Sequence, residues 1–526
     1  MSHEHSQVSI DVELDAFFGQ YTAANQARGL VYGLVGPAGL VHSAGFGVAN
    51  DAGQAPDLDT VFPIASMSKS FVACAALLAR DRGLISLDAP ISDFFDGFTA
   101  NLVDGEPCRT PTIRMLLSMG SGLTEDNAWV DPFIDVPIAE LLSTVSRGLA
   151  YSRAPGISFD YSNLGFALAG LAVGRAVGQP IEQWISTEIF QPLHLASTRF
   201  DNDGSARADE EARATGYRLG PTGEWVGFPP ATSAAFAAAG GIQSTVRDLA
   251  TWVTWLSSAF RPIGRNDDEP VSRQSRREMQ HLHQLDLPTL ATRPDGTLKL
   301  RVAGYGLGLV ISEDLHRGTV VMHSGGLPGF ILNMTWHPDS GHGIVVLTNS
   351  HRGNPVAMSE EALYRLMDRH RTPARTIRPW PATVNLQHQT EVLVRRWDTA
   401  LAEQIFAPNI AFDRPLSERQ AEIELLIDQV GPLREHNGMG NKSTDIVSAT
   451  SPADITWAIP AERGELLCMI HLTPTTPPQI QEFEVKATLY GTPRSARRTD
   501  ISPRRARLGD VPLSSLPNTR IDWPES

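Results

Sequence analysis

A serine standing three residues ahead of a lysine, at the mouth of an apolar segment, constrains this chain more than any other feature. The stretch is Phe62-Pro63-Ile64-Ala65-Ser66-Met67-Ser68-Lys69-Ser70-Phe71, and residues 71–78 that follow carry no charge. The apolar run predicts a helix of about three to four turns, ended near Gly83. Ser66 then falls at the helix N-terminus and Lys69 one turn later on the same face. A hydroxyl there sits in the positive end of the helix dipole, beside an amine able to take or stabilise a proton. A capping serine followed by a surface lysine is the plain alternative.

Lysine usage sharpens the choice. Lys69, Lys299, Lys442 and Lys486 are the four lysines among 44 basic residues, and only Lys69 has a serine three residues before it. At average serine usage about 0.3 such pairs are expected by chance. Arginine serves elsewhere, and it cannot release a proton as a partly buried lysine can.

A chain of 526 residues suits two or three domains. A net charge of −15 argues against nucleic acid as a partner. Cys74, Cys108 and Cys468 are far apart and odd in number, which reads as free thiols in a reducing compartment. No basic-then-apolar leader opens the sequence, and the uncharged run 30–50 is broken by glycines. It reads as a hairpin turning at Gly36-Pro37-Ala38-Gly39, not a membrane span, so a cytoplasmic location is expected.

Residues 10–18 predict an amphipathic helix, 112–119 a short apolar helix, and 164–177 a helix of small residues. The acidic stretch 124–137, with Trp129 and Phe133, reads either as a pocket-lining lid or as a loop anchored by two aromatics. Thr245 and Asp248 have capping-box spacing. Residues 262–300 read as a polar insertion. Short apolar runs at 305–311, 319–323, 330–336 and 343–349 predict strands, the last two joined by a hairpin at 337–341. The expected fold class is therefore α/β (α+β): an antiparallel sheet built from both ends of residues 1–370, flanked by helices, with a helical subdomain between. Residues 371–383 read as an Arg/Pro-rich linker. Residues 384–490 read as a small α+β domain, with helices at 390–406 and 417–430 and strands at 455–459, 465–472 and 480–489. With Trp397-Asp398-Thr399-Ala400-Leu401-Ala402 and Ile405-Phe406-Ala407-Pro408-Asn409 it resembles an NTF2-like cone fold. Residues 491–526 read as a disordered basic tail.

Two further motifs carry chemistry. Tyr161-Ser162-Asn163 is the one Tyr-x-Asn among eight tyrosines. A phenol is a poor base alone, but beside an ammonium its phenolate is favoured and can take the Ser66 proton. Asn163 can both donate and accept, toward Lys69 and a substrate carbonyl. His323-Ser324-Gly325-Gly326 ends an apolar strand and opens glycines that a ligand or backbone can approach closely. The His-x-His pairs His3/His5 and His281/His283 look surface-like, and no metal and no cofactor is expected.

In this order, Ser66-x-x-Lys69, Tyr161-x-Asn163 and His323-x-Gly325 resemble the three motifs of serine β-lactamase-like hydrolases. That group includes class C β-lactamases, D-alanyl-D-alanine carboxypeptidases, D-aminopeptidases and family VIII esterases. Residues 83–88, 112–117, Ser121-Gly122-Leu123 and Gly240-Gly241 are similar as well, and the resemblance covers roughly residues 10–370. It implies Ser66 as acylated nucleophile, Lys69 as its activator, and Tyr161 as general base in acylation and activator of water in deacylation. It implies an oxyanion hole from the backbone N–H groups of Ser66 and Gly326, with Asn163, His323, Ser324 and Gly325 orienting substrate. β-Lactamases usually carry lysine where His323 stands, so the expected substrate is a small ester or amide. The expected activity is that of a cytoplasmic esterase, amidase or D-aminopeptidase, without nucleic-acid or membrane partners and compatible with a homodimer. A true β-lactamase or D-alanyl-D-alanine carboxypeptidase is one alternative. A catalytically silent penicillin-binding-fold scaffold is another.

Overall fold

The computed structural model describes residues 9–490 except 25, 103–104, 106–107, 131–132, 203–211, 230–231, 262–268, 287, 293–297, 315–316, 371, 373–376, 378 and 435–445. The expected tail 491–526, His3 and His5 lie outside the described residues. The chain divides into two compact units, residues 1–375 and 376–526.

In the first unit, helix α1 (Ile10–Ala23) precedes the hairpin β1 (Gly29–Gly36) and β2 (Gly39–Gly47). Helix α2 (Ser68–Asp81), helix α3 (Asn163–Val177) and helix α4 (Val246–Ser258) belong to the long middle of the chain. Then come β3 (Gln284–Leu285), β4 (Leu298–Tyr305), β5 (Val310–Asp314), β6 (Gly318–Leu327), β7 (Phe330–His337), β8 (His342–Thr348) and helix α5 (Pro355–Arg369). The main sheet runs β3-β4-β5-β6-β7-β8-β1-β2, and every pairing between the neighbours is antiparallel. The expected antiparallel sheet made from both ends of this unit is what forms, with β1 laid against β8 from Leu30–Thr348 to Val35–Gly343.

Alternation along β1 decides what covers each face. Leu30, Tyr32 and Leu34 join the cluster with Leu14 and Phe18 of α1 and Leu363 of α5. Val31 and Val35 join the larger cluster that holds α2, α3 and α4. Of the 14 residues of α2, the twelve from Ser68 to Ala79 are buried, which makes it the central helix of the unit. It ends as expected at Gly83, whose φ of 72° and N–H bond to Arg80, with Leu84 N–H on Ala79, close the last turn. Among the described residues no single helix is long and apolar enough to cross a membrane.

Three expectations need correction. The polar region 262–300 supplies helix Arg273–Met279 and the edge of the main sheet, because its strands pair through backbone groups that composition does not reveal. The run 305–311 is two strands: β4 stops at Tyr305 and β5 starts at Val310. Between them Gly308 takes φ 69°, and a Cβ there would lie 2.5 Å from the Lys69 carbonyl oxygen. Lastly, β6 does not end at His323 but runs through the glycines to Leu327. The Thr245–Asp248 cap is half formed. Thr245 Oγ1 accepts from Asp248 N–H, but the Asp248 carboxylate accepts from Ser197 N–H and Thr198 Oγ1–H.

The second unit has its own core around Trp457, Ile455, Ile470 and Phe483. Helices α6 (Pro381–Arg395), α7 (Thr399–Ile405) and α8 (Leu416–Val430) precede a four-stranded antiparallel sheet, β9 (Ile446–Ser448), β10 (Asp454–Pro460), β11 (Gly464–Leu472) and β12 (Ile480–Leu489). The helix expected over 390–406 is two helices, because Asp398 caps a new start with Oδ1 accepting from Ala400 and Leu401 N–H. The stretch read as a linker already contains the start of α6, with Pro381 in its first turn.

Candidate active site

The site is built on the entry to α2. Ser66 lies in a single 3-10 turn, Ala65–Met67, that leads into the helix. Ala65 takes a left-handed φ of 48°, a conformation that costs a non-glycine residue on the order of 1–3 kcal/mol. Packing over-determines it. A Cβ on Gly325 of β6 would lie 2.3 Å from the Ile64 carbonyl oxygen, so only glycine lets that strand press against the turn. Ser68 Oγ accepts from Ile242 N–H at 3.1 Å, fixing the turn from the other side.

Lys69 is fully buried. Its Nζ donates to Ser66 Oγ at 2.9 Å, to Asn163 Oδ1 at 2.7 Å and to the Ala239 carbonyl at 2.8 Å. An ammonium has three N–H bonds, and all three are used. Burial pulls its pKa from 10.5 down to about 7, against an opposing pull from Asp126. Near neutral pH the amine is therefore a usable base. A neutral amine keeps the bonds to Asn163 and Ala239 and turns its lone pair to the Ser66 hydroxyl.

Tyr161 hydrogen-bonds Ser66 through its hydroxyl, and its ring centroid lies 5.0 Å from Lys69 Nζ. Burial raises its pKa well above 10; the bond from Ser66 lowers it less, and Asp126 and Glu125 raise it further. The expectation of a phenolate here is therefore reversed. Desolvation acts on both groups, lowering the amine and raising the phenol, and it outweighs the help an ammonium could give.

Asn163 opens α3, whose N-cap is Ser162. Its Oδ1 faces Lys69, while Nδ2 donates to Asp126 Oδ1 at 3.0 Å and Asn127 Oδ1 at 2.9 Å. Both amide hydrogens are taken, so Asn163 orients Lys69 but has no donor left for a substrate carbonyl. Asp126 and Asn127 sit in and beside the single-turn helix Asn127–Val130, inside the acidic stretch 124–137. Sequence reasoning assigned neither of them a role.

His323 is 2 % exposed. Nδ1 donates to the Ser324 carbonyl at 2.6 Å, which leaves Nε2 to accept from the Tyr305 hydroxyl at 2.6 Å. Burial, with Lys69 nearby, lowers its pKa to about 3, so the ring is neutral. Tyr305 is the partner that sequence reasoning missed. Its place at the end of a strand, 18 residues before His323, gave no signal of contact.

Ser66, Tyr161, Asn163, His323, Ser324 and Gly326 line one cleft of about 740 Å³. Lys69 lies beneath it, and Gly325 faces the turn that carries Ser66. A Cβ on Gly326 would meet nothing within 4 Å, so its backbone is open to the cleft. Val130, Ile134, Phe236, Val310, Leu327 and Phe330 supply the apolar lining of the cleft. Asn127, Ala128, Val130 and Ile134 of the stretch 124–137 thus line the cleft, and Trp129 and Phe133 pair with ring centroids 5.3 Å apart. None of the lining side chains is an Asp, Glu, Lys or Arg among the described residues.

Comparison with known proteins agrees with this architecture. The chain is 25 % identical over 349 residues to "Penicillin-binding protein 4*" of Bacillus subtilis (strain 168), covering 64 % of this chain and 71 % of that protein. It is 30 % identical over 204 residues to "Esterase EstB" of Burkholderia gladioli, covering 36 % of this chain and 52 % of that one. The chain thus spans about half the length of that esterase. Among solved structures, the octameric penicillin-binding protein homologue from Pyrococcus abyssi superposes with a TM-score of 0.57 at 18 % identity. The match covers 99 % of that chain and 90 % of this one, more than the first unit alone spans. Residues 14–368 match the family model described as Beta-lactamase, and on that match over most of its length this chain belongs to the Beta-lactamase family.

Proposed function

We propose that this protein is a serine hydrolase that cleaves a small ester or amide lacking a carboxylate through an acyl-enzyme on Ser66. The observation that carries the reading is the buried Lys69 amine, 2.9 Å from Ser66 Oγ and with a pKa brought to about 7. The Ser66 hydroxyl proton passes to Lys69 Nζ as Oγ bonds to the substrate carbonyl carbon. The carbonyl oxygen becomes an oxyanion, received by the backbone N–H groups of Ser66 and Gly326. As the tetrahedral intermediate collapses, the bond to the leaving group breaks. The proton on Lys69 returns to the leaving group through the Tyr161 hydroxyl, which touches Ser66 Oγ and keeps its own proton at rest. Water then attacks the acyl-enzyme by the reverse route and releases the acid.

The uncharged cleft supports the substrate class. A β-lactam or a D-alanyl-D-alanine peptide brings a carboxylate that needs a cation to hold it. His323 is neutral, and its Nε2 is already taken by Tyr305. Esterase, amidase or D-aminopeptidase chemistry without an anionic anchor fits these walls better. A cytoplasmic location and self-association belong to the same proposal, checked by fractionation and by light scattering.

The test is hydrolysis of p-nitrophenyl acetate and of D- and L-alanine p-nitroanilide by wild type and Ser66→Ala. Turnover of at least one that disappears in Ser66→Ala supports the proposal. Residual turnover above about a tenth of wild type would sink the acyl-enzyme, since loss of a nucleophile costs far more than tenfold.

A further inference from the structure

Asp126 is 9 % exposed, and its carboxylate accepts four hydrogen bonds, all from the start of α3. Oδ1 accepts from Asn163 N–H at 2.8 Å and Asn163 Nδ2 at 3.0 Å. Oδ2 accepts from Leu164 N–H at 2.9 Å and from Ser162 Oγ at 3.1 Å. Ser162 Oγ in turn accepts from Gly165 N–H at 3.0 Å. A capping role alone needs only the backbone bonds and the serine. The bond to Asn163 Nδ2 does something else. An asparagine amide can face either way, and a carboxylate on one side accepts only N–H. Flipping the amide sets its oxygen against the carboxylate of Asp126 and its NH2 against the amine of Lys69. Asp126 therefore commits the amide oxygen to Lys69.

We propose that Asp126 is a positioning residue for the acylation step: through the Asn163 amide it holds the Lys69 amine against Ser66 Oγ. This rests on the reading of Ser66 as an acylated nucleophile. Asp126 is also the charged group that acts on Lys69 from across the site. The other groups that face Lys69 are Tyr161, which keeps its proton, and His323, which stays neutral above about pH 3. Glu125 acts on Tyr161. Removing the Asp126 charge removes a stabiliser of the ammonium, so the pH at which Lys69 loses its proton falls.

The experiment follows the rate at which a fluorophosphonate probe labels Ser66, from pH 5 to 9, in the full-length chain. Ser66 displaces fluoride from phosphorus, so the rate reports the activated nucleophile without any choice of substrate. Wild type is expected to label with a midpoint near pH 7, where Lys69 loses its proton. Asp126→Asn is expected to lower the plateau rate by at least about tenfold, short of the ~100-fold that removal of a positioned acid–base group costs. It is also expected to move the midpoint down by about half a pH unit or more. A purely capping role lowers the melting temperature and leaves the plateau rate at the wild-type value, whatever the charge change does to the midpoint, and that result overturns the proposal. Asn163→Ala keeps three of the four bonds to Asp126 and removes only the amide, so it serves if Asp126→Asn does not fold. A wild-type plateau rate in that variant also overturns the proposal. Failure of the wild type itself to label at Ser66 sinks the acyl-enzyme reading instead, which separates the two failures.

Discussion

Gly325 of β6 lies so close to Ile64 that a Cβ built on it would stand 2.3 Å from the Ile64 carbonyl oxygen and 3.2 Å from the Ala65 Cβ. Ser66, the proposed nucleophile, is the next residue in the chain. Gly325→Ala should therefore push the Ala65–Met67 turn away from β6, lowering stability by about 1–3 kcal/mol as overpacking does. Turnover should fall more than stability implies, because Ser66 Oγ moves relative to Lys69. Gly326→Ala, where a Cβ meets nothing within 4 Å, should be mild in stability. Equal melting temperatures and rates for Gly325→Ala and wild type would falsify this account of the glycine.

Lys69→Arg tests the lysine itself. Arginine stays protonated and cannot accept the Ser66 proton, so turnover should fall at least about a hundredfold. Because Lys69 is fully buried, the larger guanidinium also overfills its site. A stability loss of about 1–3 kcal/mol is expected, measured by urea denaturation. Rates near wild type would remove the chemical argument for the site.

The pH dependence follows from the direction of the Lys69 shift. As a base Lys69 works when deprotonated, so kcat/KM should fall as pH drops through about 7 and reach a plateau above it. Stability has its own sign. The folded pKa is depressed below the unfolded 10.5, so between about pH 7 and pH 10.5 the unfolded state binds more protons at Lys69. Stability from this group therefore rises with pH across that window. An acid limb near pH 4 or 5 would point to a carboxylate base instead.

Tyr305→Phe removes the donor on His323 Nε2 and leaves a buried acceptor bare. A destabilisation of about 1–3 kcal/mol is expected from melting curves. Esterase turnover should suffer less than in Lys69→Arg, since His323 is neutral with or without that bond.

Ending the chain after residue 375 should leave a folded first unit that still labels with a fluorophosphonate. The core clusters of the first unit hold no residue beyond 375, and the second unit has a separate cluster. An insoluble or unfolded product counts against independent folding.

The sequence made the ends of this site legible but not its middle. Lys69 stood out because lysine is rare here and arginine does the routine work, a contrast that needs no structure. The hairpin at Gly36–Gly39 and the strands around 320–348 announced themselves by apolar runs and turn residues. Asp126 did not, because the stretch around it also holds Glu125 and Asp135, and nothing in composition says which acid turns inward. The reversed protonation of Lys69 and Tyr161 was hidden for a related reason. Charge proximity can be guessed from motifs, whereas desolvation depends on how completely neighbours from distant parts of the chain close over a group. Tyr305 and His323 show the same limit. They lie 18 residues apart, and only the pairing of β4, β5 and β6 brings them together.

The pairing of β1 with β8 joins residue 30 to residue 348, and Gly29 N–H donates to Asn349 Oδ1 at 2.6 Å. The strand that carries His323 and Gly326 belongs to the same sheet, so Ser66 and Gly326 share a cleft only after a loop of some 260 residues has closed. Such closure is among the slow events of folding. A nascent chain still lacking β8 already contains Ser66 and Lys69 but not the closed sheet that sets β6 against them. On the proposed function, acylation would be a late checkpoint of synthesis: a polypeptide emerging from the ribosome is expected to stay inert toward esters until nearly two thirds of it has been made.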